Sequence, residues 1–278
     1  MLTEHLLNFL KGKSPALVST PLDMLQFSCL QYAVNNEHFD EYSSFGWIKY
    51  LSEEERTKSQ SSGQESFSYY INDIGFRGNY PATDEKELLA FLGCSITFGQ
   101  GLPEHDIYAD LISKHQDTKY LNLGIPGAGC HRIALTLSAA SKIWDIKTAV
   151  INLPPFTRFH YSDKTNHLQS ILLAYSTTQQ ELESVRVDIV KDFSDQFLLS
   201  QTVDSIQWII DIAKSKDINL VLSSWDDDMI QIVKAAFNID ILKFNTIDRA
   251  RDGHPGVLSH KQFANDVINI LANGTYIC

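Results

Sequence analysis

The stretch Leu88–Leu102, LLAFLGCSITFGQGL, decides how the chain reads. Leu88 to Leu92 form an apolar run that needs burial and has the length of a buried strand. The run breaks at Gly93. Ser95, Thr97, Gly99 and Gly101 follow, small residues that let the backbone turn sharply and come close to a ligand. A serine where a buried strand opens into a glycine-punctuated loop stands where α/β folds put chemistry, outside the carboxyl ends of the strands. A tight turn with an incidental serine is the plainer alternative.

Downstream of this stretch, strand and helix patterns alternate. Strands are expected at 88–93, 119–123, 148–153 and 218–223, with a short one at 239–243. Helical spacing of apolar residues predicts helices near 107–115, 131–144, 197–215, 227–236 and 259–272. Pro154-Pro155 stops the third strand, because proline cannot donate to a ladder. Residues 156–195 predict an irregular excursion with a helical piece. Strands alternating with helices imply a parallel sheet covered on both faces. The expected fold is a flavodoxin-like three-layer α/β/α sandwich with a mainly five-stranded parallel sheet. Residues 1–71 are expected to be an N-terminal extension packed on a main domain of residues 72–278. That extension includes a polar stretch, Leu51–Ser66, that reads as an exposed loop.

Composition narrows the function classes. The chain has 278 residues, 44% hydrophobic, with a formal net charge of −11 and no basic cluster, which argues against nucleic acid or an anionic membrane as partner. The start lacks a basic region and a small-residue cleavage site, and no apolar run has spanning length, so a cytoplasmic protein without signal peptide or transmembrane segment is expected. Cys29, Cys94, Cys130 and Cys278 are scattered without CxxC spacing and read as reduced thiols. Asp226-Asp227-Asp228 begins a helix, where acidic residues need no metal. Asp106 is expected to cap the helix after the serine loop. No metal and no cofactor is called for.

Parallel strands gather the loops at their carboxyl ends. After the first strand comes Gly93-Cys94-Ser95; after the second, Asn122-Leu-Gly124-Ile-Pro-Gly127-Ala-Gly129. Asn152 to Arg158 follows the third strand, and Asp248-Arg-Ala-Arg-Asp252-Gly-His254-Pro255-Gly256 follows the last. A serine, an Asp–His couple and a glycine-rich loop with free N–H groups are the parts for nucleophilic acyl transfer.

With these residues in view, the sequence resembles the SGNH/GDSL hydrolase family of serine esterases and acylhydrolases. GCSITFGQG is similar to the family's first block, NLGIPGAG to its second and RDGHPG to its last, while NDIGFRG resembles an element that often precedes the first. The resemblance implies Ser95 as nucleophile, Asp252 and His254 as acid and base, and an oxyanion hole made by Ser95 and Gly127. It implies ester hydrolysis through an acyl-enzyme on a small or carbohydrate-linked acyl ester. Acyl transfer to another acceptor, or a binding protein that kept the fold, are the alternatives.

The pattern departs from the family at three places. Cys94 replaces the first-block aspartate, so the serine loop must be braced differently; Cys94 itself is the alternative nucleophile. Asp252 lies two residues before His254 rather than three, with Asp248 in reserve. In an extended segment such residues share a face, about 6.6 Å apart. The third block, Gly-x-Asn-Asp, has no match, which leaves Asn152 or Arg158 as candidates for a further oxyanion donor.

Overall fold

The computed structural model describes Tyr69, Asn72 and residues 76–162, 168–172, 195–250, 253–274 and 276–277. In chain order these form β1 (Leu88–Gly93), α1 (Ser95–Phe98), α2 (Tyr108–Gln116), β2 (Tyr120–Gly124), α3 (Cys130–Ile143) and β3 (Ile146–Leu153). They continue with β4 (Arg158–Ser162), β5 (Leu168–Leu172), α4 (Asp195–Lys216), β6 (Asn219–Ser224), α5 (Asp227–Phe237), β7 (Leu242–Lys243) and α6 (Val257–Asn273).

The five-stranded sheet has the order β2-β1-β3-β6-β7, and every pairing in it is parallel. The order steps one way from β1 to β2 and the other way from β1 to β3, so the loops on either side of that reversal open a crevice at the carboxyl ends. β1 shows why the apolar run is continuous. Leu88, Ala90, Leu92 and Cys94 enter one core cluster with residues of α3, α4 and α5. Leu89 and Phe91 enter the other, with residues of α2 and α6. Consecutive residues of a strand face opposite ways, so a central strand of a three-layer sandwich is apolar at both parities. The expected flavodoxin-like α/β/α sandwich is the observed fold.

The excursion after Pro154-Pro155 begins with an antiparallel pair, β4 and β5, in which Arg158 lies opposite Leu172. The helical piece expected in 156–195 lies outside the described residues, as does the expected N-terminal extension apart from Tyr69. Among the described residues, no helix is long and apolar enough to cross a membrane.

Candidate active site

Ser95 is the first residue of α1, which begins one residue after β1 ends. The first N–H groups of a helix have no partner inside it, so the Ser95 N–H is open to an incoming acceptor. Ser95 is 7% exposed, whereas Cys94 is fully buried within the apolar core, its Sγ 3.8 Å from Ser95 Oγ. The expectation that the two side chains diverge rested on an extended segment. The chain instead turns into a helix at Ser95 and the two side chains lie close together, with only Ser95 keeping any exposure.

The bracing that a first-block aspartate would supply comes from elsewhere. Thr97 sits one turn on and donates to Leu92 O at 3.3 Å, while the fully buried Tyr108 hydroxyl donates to Thr97 Oγ1 at 2.8 Å. Burial pushes the Tyr108 pKa above its ordinary value, so the hydroxyl stays a donor. From upstream, Arg77 reaches in with its guanidinium and donates to the carbonyls of Phe98, Gly99 and Leu102 at 2.7–2.9 Å. It lies 4.7 Å from the Tyr69 ring centroid and 5.4 Å from that of Phe98. Burial pulls its pKa below the ordinary value, yet an arginine starts so high that it remains charged. Tyr69 completes the brace, its hydroxyl accepting the Gly101 N–H at 2.7 Å. Asn72 closes the Arg77 segment on itself, donating to Gly78 O and accepting the Phe76 N–H. Sequence reasoning noted NDIGFRG only as a turn and a family element. Its signal was an arginine amid apolar residues.

The loop after β2 packs against α1 from the other side. A Cβ on Gly124 would collide with the backbone of Thr97 and Phe98, so glycine lets the second loop lie directly on the serine turn. The Ala128 N–H donates to Ile125 O at 2.9 Å around Pro126 and Gly127, and Gly127 has φ +79°. Proline second and a positive-φ glycine third make a type II turn. Gly127 is half-buried at the sheet edge, next to the strand that carries Ser95.

The histidine is presented on a small hairpin. Arg249 bridges Pro255, the Ala250 N–H donates to His254 O at 2.7 Å, and Arg249 Nη1 donates to Gly253 O at 2.7 Å. His254 is half-buried. The hairpin follows β7 at the sheet's far edge, but α6 carries its base back toward the serine loop. Buried His260 accepts the Tyr108 N–H on Nδ1 at 3.1 Å and stacks on the Tyr108 ring, centroids 5.5 Å apart. Burial pushes His260 down to about 3, with Arg77 and His254 acting in the same direction. That contact caps α2; Asp106, expected to do so, makes no side-chain cap, and it lies in a short 3-10 turn.

Asp252 lies outside the described residues. Asp248 is engaged elsewhere. Its carboxylate accepts from the N–H groups of Leu258 and Ser259 and from the Ser259 hydroxyl at 2.7–3.0 Å. Desolvation opposes its charge, but these bonds prevail and hold the carboxyl below its usual range. A Cβ on Gly256 would collide with this carboxylate, so a glycine there makes room for the cap. Asp226, first of the three aspartates, caps α5 by accepting the Met229 N–H at 2.8 Å.

Two candidates remain from the third strand. Asn152 is fully buried, and neither polar atom of its amide has a hydrogen-bond partner. It lies next to Ser223 of β6, on the side of the sheet that carries Val150. Arg158 is half-buried at the start of β4, its guanidinium 5.5 Å from the Trp225 ring centroid.

The structure is similar to several solved esterases. A carbohydrate esterase family 2 enzyme with a carbohydrate-binding domain from Corynascus thermopiles shares 15% identity, over 75% of this chain and 72% of that one, with a TM-score of 0.45. A protein of the G-D-S-L family from Desulfitobacterium hafniense shares 12%, over 66% and 99%, with a TM-score of 0.44. The psychrotrophic esterase EstA from Pseudoalteromonas sp. shares 11%, over 68% and 98%, with a TM-score of 0.44. No family model matches the chain, and no curated protein matches its sequence.

Proposed function

We propose that the protein is a serine-dependent ester hydrolase of the SGNH/GDSL type, acting on a small or carbohydrate-linked acyl ester. The observation that carries this reading is Ser95 at the first position of α1, where it keeps 7% exposure while Cys94 beside it has none. In the proposed reaction His254 takes the Ser95 proton as Oγ attacks the ester carbonyl. The N–H groups of Ser95 and Gly127 stabilise the oxyanion. His254 then returns the proton to the departing alcohol, and water, deprotonated by the same histidine, releases the acid. Asp252 holds the imidazole in the tautomer this requires. What supports Asp252 over Asp248 is the full engagement of Asp248 at the start of α6.

The test is labelling with a fluorophosphonate and mapping of the modified residue. Stoichiometric modification of Ser95, lost in Ser95→Ala, is expected. Modification of another residue, or none at all in a folded protein, overturns the assignment.

A further inference from the structure

Arg158 is a cation among the described residues that the proposed chemistry leaves unused. Its Nη1 is buried and has no hydrogen-bond partner. Among the described residues, every ion pair joins other groups, Lys147 with Asp217 being the nearest in sequence. In a chain of net charge −11, no acidic side chain among the described residues pairs with this arginine. A buried charge without a counter-charge is costly, and such a group is retained where a ligand supplies the partner.

Its position is fixed from two sides. The guanidinium lies 5.5 Å from the ring of Trp225, the residue after β6. It is also near enough to Cys130, which opens α3 beyond β2, for its charge to oppose the burial that pushes that thiol up to about 12. In the order β2-β1-β3-β6, a group reaching both neighbourhoods lies over the ends of β1 and β3. Ser95 follows the first of these. The start of α3 adds to the local potential, with no side-chain cap and no acidic residue in its first turn. Trp225, half-buried, forms an apolar wall that excludes water from one side of the guanidinium.

We propose that the crevice takes an ester that also carries a carboxylate, and that Arg158 binds this carboxylate while Ser95 attacks the ester. This rests on the esterase reading above. The planar guanidinium suits a carboxylate bidentately, and in this role it selects the substrate rather than stabilising the oxyanion.

Matched pairs of esters test it. Mono(4-nitrophenyl) adipate and its methyl ester carry or mask a carboxylate on the acyl side; 4-acetoxybenzoate and its methyl ester do so on the alcohol side. The enzyme is expected to favour the charged member of one pair by about 10²-fold in kcat/KM, the magnitude of a desolvated charge pair. The pair that responds shows which side of the scissile bond faces Arg158. Arg158→Gln should abolish the preference, mainly through KM, and Arg158→Lys should retain part of it. Equal rates within both pairs overturn the proposal. So does a fall in kcat shared by charged and neutral esters, which would assign Arg158 to the oxyanion.

A binding measurement keeps the two readings apart. Ser95→Ala protein titrated with monomethyl adipate should show a saturable change in tryptophan fluorescence, absent with dimethyl adipate and absent when Arg158→Gln is added. A saturable response without Ser95 labelling in the wild type sinks the esterase and keeps the anion site. Labelling of Ser95 with no response and no charge preference does the reverse.

Discussion

The serine turn and the histidine hairpin, each a loop that follows the carboxyl end of a strand, are built on opposite plans. The serine turn is held from far away. Arg77, Tyr69 and Tyr108 reach it from 11 to 32 residues along the chain, and every side chain in the brace is nine-tenths buried or more. The hairpin is held by its own neighbours, with Arg249 on Gly253 four residues away and Asp248 on Ser259 eleven away, and much of it is exposed. A turn fixed by core contacts cannot loosen without the core loosening. A hairpin fixed by local bonds can lose order while the fold survives. The serine turn is therefore held by the global fold and the histidine hairpin by a surface device, and substitutions on the two sides should fail differently.

The sharpest break is in the chemistry itself. Ser95→Ala should lower turnover of a short acyl ester by several orders of magnitude, because members of a triad act as a unit, with little change in the denaturation midpoint. Cys94→Ala should do the opposite. It removes a fully buried group from the core and costs about 1–2 kcal/mol of stability, while Ser95 still labels. Asp252→Asn should cost about 10⁴ in turnover, as expected when a triad histidine takes the wrong tautomer. Activity that survives Ser95→Ala and vanishes in Cys94→Ala would reverse the two roles.

Next in size is Arg77. Hydrogen bonds to a charged group contribute about 1.5–3 kcal/mol each, and three carbonyls would be left without their donor. Arg77→Met should cost on the order of 3–5 kcal/mol, read from urea unfolding, and should slow fluorophosphonate labelling of Ser95 in the protein that remains folded. Arg77→Lys should recover only part, since one ammonium cannot span three carbonyls in a fixed fork. Unchanged stability in Arg77→Met would place the brace in Thr97 and Tyr108 alone.

This contrast also explains what the sequence made legible. The run from Leu88 to Leu92 and its successors at 148–153 and 218–223 announced a parallel sheet because they alternate with helical patterns, as strands buried on both faces do. The loops at the strand ends followed from the sheet. Long-range bracing did not, because Arg77 and Tyr69 look like any polar-tipped residues until the fold brings them to Gly99 and Gly101. The hairpin β4–β5 was hidden for another reason. Arg158-Phe-His-Tyr-Ser does alternate, but with only Phe159 and Tyr161 as apolar members it is a weak signal, and the pair lies outside the main sheet. His260 rather than Asp106 meets the start of α2 because a cap can come from 152 residues away, where local rules place it next door.

His260 joins the two regions, and acid should expose it. Folded, it takes a proton only near pH 3; unfolded, near pH 6.5. Between those values the unfolded chain holds the extra proton, so stability is full above about pH 6.5 and declines as pH falls. The slope is about 1.4 kcal/mol per pH unit for one proton. His260→Gln keeps an acceptor for the Tyr108 N–H and removes the titration. Urea midpoints measured from pH 7 to 4 should fall less steeply in the variant than in the wild type. Parallel curves would mean that His260 is not the group that couples these loops to pH.

The smallest effect belongs to Asp248, where the hairpin meets α6. Its carboxylate does the work of an N-cap, so Asp248→Asn should cost about 1–2 kcal/mol, the range for losing a cap. Its depressed pKa adds stability that is present above the unfolded value near 4 and lost as pH falls through the folded one. The variant's disadvantage should therefore shrink below about pH 4, a window lower than that of His260. Turnover at neutral pH should fall far less than in Asp252→Asn, because a loosened hairpin still presents the same histidine in the same tautomer. Amide exchange at Leu258 and Ser259 should quicken, since those N–H groups donate to the carboxylate, while exchange in β1 stays slow. A turnover loss in Asp248→Asn equal to that in Asp252→Asn, with no faster exchange at α6, would make Asp248 the partner of the histidine and end the distinction between the hairpin's brace and its chemistry.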